Sequence, residues 1–581
     1  MNEECRCFQE ENLVPLPLGL WRSINSNPQR TAIDFCGRAF SYEDLGLWAA
    51  TFKKIFAGLG GLGTPGDEIP RISLLLPNVP QFIFAYFGAL LNRQIVSPVN
   101  YVPLASQLKT AKPKNIKIDE KLIKQFEQTR LSIVVVAEPF WPILEKVGLE
   151  LFRDSVIIIT SPADFLPKTK SVLYPLSALW NYGFVRIPKR GNVVRLRDLL
   201  QNDWRPSFGV FEEYAASPAA LEDVSHLQYT GGTTGAPKGA MLTHENLVSN
   251  LWRCREYLGE IVEDGASMLA ALPLCHSYGF TMAMTTLIGL KGKLVLLPKF
   301  SPKEACKLIE KHKIKLFPGS GKMFEAIRPL VGHYDLSSLT FCPTGAEKTP
   351  TELISSLRKQ GVPVYEGYGQ SETSPVISFC KPGADKIGSV GKPIPGTEIR
   401  IVDVESGEEK PAGEMGEIIV RGPQVMKGYY GNQKESAAKI KNGWLYTGDV
   451  GKIDEDGFLW FIDREDNSGK VAGEWVYGAP VREFLLKYWD IKNCVVFCVL
   501  DEKTGQSPAH AFILPGASFT KEGLAAHLRD LPNPYWRPKK VVIFDEPAFN
   551  QWFDPVLNKV NFKAAKKYYL ENRDTLRSIY P

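Results

Sequence analysis

Short runs in which nearly every residue is apolar alternate along this chain with longer stretches whose apolar positions recur every three or four residues. Residues 72–76, 133–137, 155–159 and 293–297 are of the first kind and predict buried strands. Residues 42–58 and 303–313 are of the second kind and predict helices. Strand and helix alternating over hundreds of residues predict α/β architecture with mixed and largely parallel sheets. The pattern changes at residues 391–420, GKPIPGTEIRIVDVESGEEKPAGEMGEIIV, where short β runs are joined by Gly, Pro and Asp turns. A small β-rich subdomain is expected there, over about residues 385–463. After Asp463 comes a polar, glycine-bearing segment, REDNSGKVAGEW, and then a fresh strand–helix pattern to the end. The expected organisation is a large N-terminal domain, residues 1–463, followed by a small α+β domain, residues 464–581.

Composition narrows the class. At 581 residues the chain is too long for one compact core. Hydrophobic residues at 44% and charged residues at 23% are ordinary for a globular enzyme. A net charge of +5 is too mild to argue for nucleic acid, and no RNP, helix-turn-helix or zinc signature accompanies it. The ten cysteines are scattered, which points to reduced thiols in a cytosolic setting. The acidic start MNEECRCFQEEN has no apolar core of the signal-peptide kind. Of the most apolar stretches, residues 72–91 are interrupted by Pro77, Asn78, Pro80 and Gln81, and residues 268–298 by His276, Lys291 and Lys293, so no membrane span is expected. Residues 165–190 interleave aromatic and aliphatic side chains with Lys168, Lys170, Arg186, Lys189 and Arg190. They are a candidate for peripheral membrane contact, with an ordinary buried loop as the alternative; Pro167, Pro175 and Pro188 argue against one long helix there.

Candidate chemistry concentrates in residues 227–247, LQYTGGTTGAPKGAMLTHENL. A short apolar strand leads into Thr230, Gly231, Gly232, Thr233, Thr234 and Gly235, with Lys238 close behind. Glycines let successive backbone N–H groups turn inward around anionic oxygen, while the hydroxyls and the lysine add donors and charge. The spacing suits a phosphate loop but is not Walker A, since Gly239 follows Lys238. A second motif is residues 364–375, VYEGYGQSETSP. Tyr365 and Tyr368 offer flat faces for a planar base, Gly367 and Gly369 permit a tight turn, and Glu372 presents a carboxylate beside Ser371 and Thr373. Glu372 with Thr230 suits Mg²⁺, which takes one or two protein oxygens besides phosphates and water. The third motif is GWLYTGD, residues 443–449, followed by EDGFLWFIDR. Asp449 can accept from vicinal ribose hydroxyls, and the Arg464 fork suits ribose or phosphate.

Together these runs resemble the signatures of the acyl-adenylate-forming enzymes (acyl-CoA ligases, luciferases and adenylation domains). The resemblance spans roughly residues 13–567 and is closest to bacterial long-chain fatty acyl-CoA ligases, through LQYTGGTTG, ETSPV, PGTEIRIVD and RGPQVMKGYY. It implies that ALPLCHSYGF carries an acyl-pocket histidine, His276, and that PTGAEK places Gly345, Ala346 and Glu347 against adenine. The implied reaction takes a long-chain fatty acid and ATP with Mg²⁺ to an acyl-adenylate, then transfers the acyl group to coenzyme A in the cytoplasm, with the inner face of the membrane as a peripheral site. A fatty acyl-AMP ligase or acyl-ACP synthetase, with a carrier-protein acceptor, is the alternative; a nucleotide-binding pseudoenzyme is the third reading.

The C-terminal part departs from the family pattern. The D-R-x-K-D hinge is replaced by Asp463-Arg464-Glu465-Asp466-Asn467, with Asp466 at the pivot. Lys470, Gly473, Glu474 and Trp475 resemble the loop that faces coenzyme A, but YGAPVREFL then replaces the usual proline–glutamate run. The adenylation lysine is assigned to Lys559, in FDPVLNKVNFKAAKKYY, with Lys563 as the reserve, four residues on along a helix. The acyl-side segments, residues 272–284 and 317–324, are rich in Phe, Leu, Met and Gly, which favours a long aliphatic acid.

Overall fold

A computed structural model describes residues 12–59, 69–104, 108, 117–182, 185, 187–188, 190–201, 207–230, 237–259, 261–554 and 559–579. The chain divides into two compact units, Met1–Glu398 with Val420–Leu445, and Ile399–Ile419 with Tyr446–Pro581.

The first unit is built on an eight-stranded sheet. Its order is Gly428–Tyr429, Lys238–Thr243, Val224–Thr230, Ile95–Pro98, Arg71–Leu75, Ile133–Ala137, Val156–Thr160 and Val193–Arg195. The last six of these run parallel to one another. Ile133–Ala137 is buried at every position, as a parallel strand covered on both faces must be, and for that reason it reads as an unbroken apolar run. Helix Pro80–Leu91 follows strand Arg71–Leu75 and is buried all round. Helix Tyr42–Leu59 packs on it so closely that a Cβ added at Gly88 would sit 2.5 Å from the Phe52 Cβ. Two four-stranded sheets complete this unit. One joins Ser267–Ala270, Lys293–Leu296, Thr31–Phe35 and Arg38–Ser41; the other joins Cys342–Thr344, Val364–Gly369, Val376–Phe379 and Lys392–Pro393. The strands and helices expected from the apolar pattern are all present, and the chain is α/β.

The second unit holds residues 446–453 of strand Trp444–Ile453, antiparallel to Leu459–Arg464, and a three-stranded sheet, Ile491–Cys498, Ala509–Pro515 and Lys540–Ile543. Helices Gly478–Leu486 and Lys521–Arg529 accompany that sheet, and helix Phe562–Asn572 lies against strand Ile491–Cys498. Val495, Phe497, Phe512, Trp552 and Tyr569 form part of its core.

Two local expectations are corrected. Pro175 does not stop a helix: Lys168–Tyr182 runs through it. The ring removes one backbone donor, but Pro175 is exposed, so water can take the orphaned carbonyl. Lys559 and Lys563 do not share a helix either. Lys559–Val560 is a two-residue strand paired with Phe553–Asp554, and Asn561 then caps helix Phe562–Asn572 by accepting from the Ala564 N–H. Among the described residues no helix is long and apolar enough to cross a membrane.

Candidate active site

Strand Val224–Thr230 turns back antiparallel as Lys238–Thr243, with Thr230 facing Lys238 across the ladder. Gly231, Gly232, Thr233, Thr234 and Gly235, which lie between these two strands in sequence, are outside the described residues. Both strands lie against the turn Ser371–Thr373, which carries Glu372. Segment 271–280 closes on the same place. The Gln228 amide donates to the Cys275 carbonyl at 3.3 Å, and the Ser277 and Ser371 hydroxyls are 3.3 Å apart. His276 is exposed and caps helix Ser277–Met284, its Nδ1 accepting from the Tyr278 N–H at 3.3 Å.

The adenine-side segment is tied in through backbone. Cys342–Thr344 runs parallel to Val364–Gly369, and the Tyr278 hydroxyl donates to the Pro343 carbonyl at 2.8 Å. Gly345, Ala346 and Glu347 follow directly, and a Cβ at Gly345 would lie 3.1 Å from the Gly367 carbonyl oxygen. Glycine at 369 is a steric requirement, since a Cβ there would sit 1.9 Å from the Pro375 carbonyl oxygen. Of the two tyrosines, Tyr365 is already packed: the Arg358 guanidinium lies 4.1 Å from its ring centre and Phe341 stacks at 5.6 Å.

Two residues that sequence reasoning missed complete this half. The Tyr429 hydroxyl donates to Glu372 Oε1 at 2.8 Å, and the Lys238 ammonium lies 5.4 Å from the Tyr429 ring centre. Lys238 itself donates to Glu435 Oε2 at 2.6 Å. Tyr429 falls in the run RGPQVMKGYY, noted only for its resemblance, and Glu435 lies just beyond that run. A third is His226, two positions before Gln228. It is 1% exposed, with Nδ1 at 3.1 Å from the Tyr86 hydroxyl and Nε2 at 3.1 Å from Gln228 Oε1. Burial lowers its pKa to about 4, so the imidazole is neutral near pH 7. Phe280, Met282 and Met284 are buried on helix Ser277–Met284, and Phe317 meets Phe324 edge-on at 5.2 Å.

The second unit holds the remaining assigned residues. Asp449 is 2% exposed and faces Arg464 across the antiparallel pair, with Arg464 Nε 3.0 Å from its Oδ1. The next turn, Glu465–Asn467, contains Asp466, which is ion-paired with Lys563. Asp463 anchors the same turn, accepting from the Arg464 N–H at 2.7 Å and the Ala479 N–H at 2.6 Å. Burial pushes its carboxyl up to about 7. In hairpin Ser468–Val471/Glu474–Tyr477 Lys470 faces Trp475, its ammonium 5.2 Å from the ring centre and 2.8 Å from Glu405 Oε2. Ala472 and Gly473 make the two-residue turn with positive φ, 52° and 87°. The Lys559 side chain lies outside the described residues.

Residues 20–430 match the family described as AMP-binding enzyme. A long-chain-fatty-acid–CoA ligase of Bacillus subtilis (strain 168) is 35% identical over 537 residues, 90% of this chain and 91% of its own length. One of Escherichia coli O157:H7 is 30% identical over 498 residues, 84% and 83%. The 4-coumarate–CoA ligase 1 of Solanum tuberosum is 29% identical over 520 residues, 87% and 85%. In fold, the chain is similar to ATP-bound MatB from Rhodopseudomonas palustris, with a TM-score of 0.74 at 21% identity over 96% of this chain and 99% of that one. It is likewise similar to the o-succinylbenzoate CoA synthetase of Bacillus subtilis in complex with ATP and magnesium, with a TM-score of 0.71 at 21% identity over 94% and 99%. The chain belongs to the family of AMP-binding enzymes, the acyl-adenylate-forming ligases.

Proposed function

We propose that this protein activates a long-chain fatty acid with ATP and transfers the acyl group to coenzyme A. A fatty carboxylate oxygen attacks the α-phosphorus of ATP, the bond to the β,γ-pyrophosphate breaks, and an acyl-adenylate forms. Coenzyme A sulfur then attacks the acyl carbonyl and AMP leaves, while the thiol proton passes to solvent. The first step brings two anions together, so the site must supply positive charge and hold the line of attack.

The observation that carries this reading is the meeting of Thr230, Lys238, Ser277 and the Glu372 turn in one unit. Thr230 and Lys238 are assigned to the phosphates, together with Gly231, Gly232, Thr233, Thr234 and Gly235. Gly345, Ala346, Glu347, Gly367, Tyr368, Gly369 and Ser371 are assigned to the adenine side, with Tyr368 rather than Tyr365 facing the base. Thr230 and Glu372 fit Mg²⁺: they supply oxygen donors only, and Glu372 has one oxygen steadied by Tyr429. When bound to the nucleotide, the metal screens phosphate charge. Asp449 is assigned to the ribose hydroxyls and is oriented by Arg464. His276 is assigned to the fatty carboxylate, and Lys559 to the bridge between that carboxylate and the α-phosphate. Lys470, Gly473, Glu474 and Trp475 are assigned to coenzyme A, and Asp466 to the swivel between residues 1–463 and 464–581.

The segments assigned to the acyl side carry Phe280, Met282, Met284, Phe317 and Phe324, all apolar and buried, which supports a long aliphatic acid. At about 0.8 kcal/mol per buried CH₂, four methylenes contribute roughly 3 kcal/mol, a preference above about a hundredfold. Fatty-acid-dependent pyrophosphate release, with and without coenzyme A and over a chain-length series, tests this. Palmitate is expected to outrun both acetate and 4-coumarate, and either of those outrunning palmitate refutes it. We place the reaction in the cytoplasm. Val172 and Leu173, 77% and 62% exposed on helix Lys168–Tyr182, support a lipid contact there, which co-sedimentation with anionic vesicles would test.

A further inference from the structure

Lys238 is held by partners within its own unit. It begins strand Lys238–Thr243, and that strand is zipped antiparallel to Gly428–Tyr429, with Tyr429 facing Ala240. The Tyr430 N–H donates to the Gly239 carbonyl at 2.8 Å, so the two backbones are locked beside the lysine. Helix Gln433–Lys439 starts three residues later. Asn432 caps it by accepting from the Glu435 N–H at 3.1 Å, and the Ser436 hydroxyl accepts from the Tyr429 N–H at 2.7 Å. These bonds fix where Glu435 projects, and its carboxylate lies 2.6 Å from the Lys238 ammonium. That lysine holds the carboxyl below its ordinary range. The Tyr429 ring stands between two functions, with Lys238 near its face and Glu372 at its hydroxyl. Glu435 therefore occupies the phosphate side of the network that ends at Glu372.

We propose that Glu435 competes with pyrophosphate for Lys238, so that product release is coupled to re-forming the Glu435–Lys238 ion pair. This rests on the assignment of Lys238 to the β,γ-phosphates. A lysine strong enough to hold a departing polyanion would also retain it after the bond to the α-phosphorus has broken. A tethered carboxylate at hydrogen-bond distance offers that ammonium an alternative partner, with no desolvated cation left behind. Both side chains are partly exposed, 24% for Lys238 and 43% for Glu435, so the exchange is shallow and reversible. A pair of this exposure is worth a two- to fivefold change, roughly, in a competing equilibrium. Glu435 acts through Lys238 and is a positioning residue.

The test is pyrophosphate product inhibition and the pyrophosphate release rate, measured with palmitate, ATP and Mg²⁺ on the full-length chain. In Glu435→Gln, which keeps the shape and removes the charge, the inhibition constant for pyrophosphate is expected to fall about two- to fivefold and release to slow correspondingly. Glu435→Asp, with the charge one methylene shorter, is expected to return both toward wild type. An unchanged constant in Glu435→Gln overturns the proposal. So does a raised one, which would mean that Glu435 merely orients Lys238 for phosphate. Lys238→Met separates the premise from the inference: it is expected to weaken pyrophosphate binding, and unchanged binding there removes the premise whatever the Glu435 variants do.

Discussion

Replacing Tyr429 with phenylalanine probes the join between Lys238 and Glu372 in the proposed phosphate site with little change of shape. The ring is 3% exposed, and its backbone is paired with strand Lys238–Thr243, so the variant keeps its seat. What goes is the hydroxyl that donates to Glu372 at 2.8 Å. A hydrogen bond to a charged group contributes about 1.5–3 kcal/mol. Glu372 is only half-buried, so water recovers part of the loss and roughly 1–2 kcal/mol remains, a factor of about five to thirty. The loss falls on the step that uses Glu372 with the metal. In fatty-acid-dependent pyrophosphate–ATP exchange titrated with Mg²⁺, the apparent Mg²⁺ constant of Tyr429→Phe rises by that factor while the KM for palmitate holds. A Mg²⁺ titration superimposable on wild type, or a loss borne by the palmitate KM alone, refutes the assignment of Tyr429 as the support of Glu372.

Three further outcomes are expected. On the proposed assignment, Lys559→Ala abolishes acyl-adenylate formation but spares thioester formation from supplied acyl-adenylate, because a group on a domain that swivels serves only the step made in that domain's orientation. Lys563→Ala, whose ammonium is held by Asp466, changes adenylation less than about fivefold; a selective loss in Lys563→Ala instead moves the catalytic assignment to that residue. The buried His226 makes stability depend on acid. Its folded pKa of about 4 lies below the unfolded value near 6.5, so its contribution is complete above pH 6.5 and is lost as pH falls toward 4. At pH 5 that is roughly 2 kcal/mol, and His226→Gln flattens the urea-midpoint profile over this window by that amount; an unchanged profile contradicts a buried neutral imidazole.

The fold was legible where burial is simplest. Ile133–Ala137 announces itself because a strand covered on both faces has no polar positions to interrupt it. Helix Tyr42–Leu59 follows from its apolar stripe, and the Glu372 turn from its glycines and hydroxyls. The partners of the phosphate residues were not legible, for a physical reason. Tyr429 lies 57 positions from Glu372, and Glu435 lies 197 positions from Lys238, and no local pattern encodes a contact made through sheet pairing at that separation. Helix Lys168–Tyr182 was hidden by Pro175, whose cost is low at an exposed site. The Lys559–Lys563 relationship was misread because Asn561 starts a helix between them; KVNF has no periodicity long enough to reveal that break.

On the proposed function, Glu372 and its neighbours form an adenylate that a thiol then consumes. Single-turnover analysis of palmitate, ATP and Mg²⁺ by mass spectrometry, before and after adding coenzyme A, tests it directly. Palmitoyl-adenylate with stoichiometric pyrophosphate is expected, then its conversion to palmitoyl-coenzyme A with release of AMP, and loss of the first product by orders of magnitude in Glu372→Ala. Palmitoyl-adenylate forming at the wild-type rate in folded Glu372→Ala, or wild-type adenylate that coenzyme A leaves untouched, contradicts it.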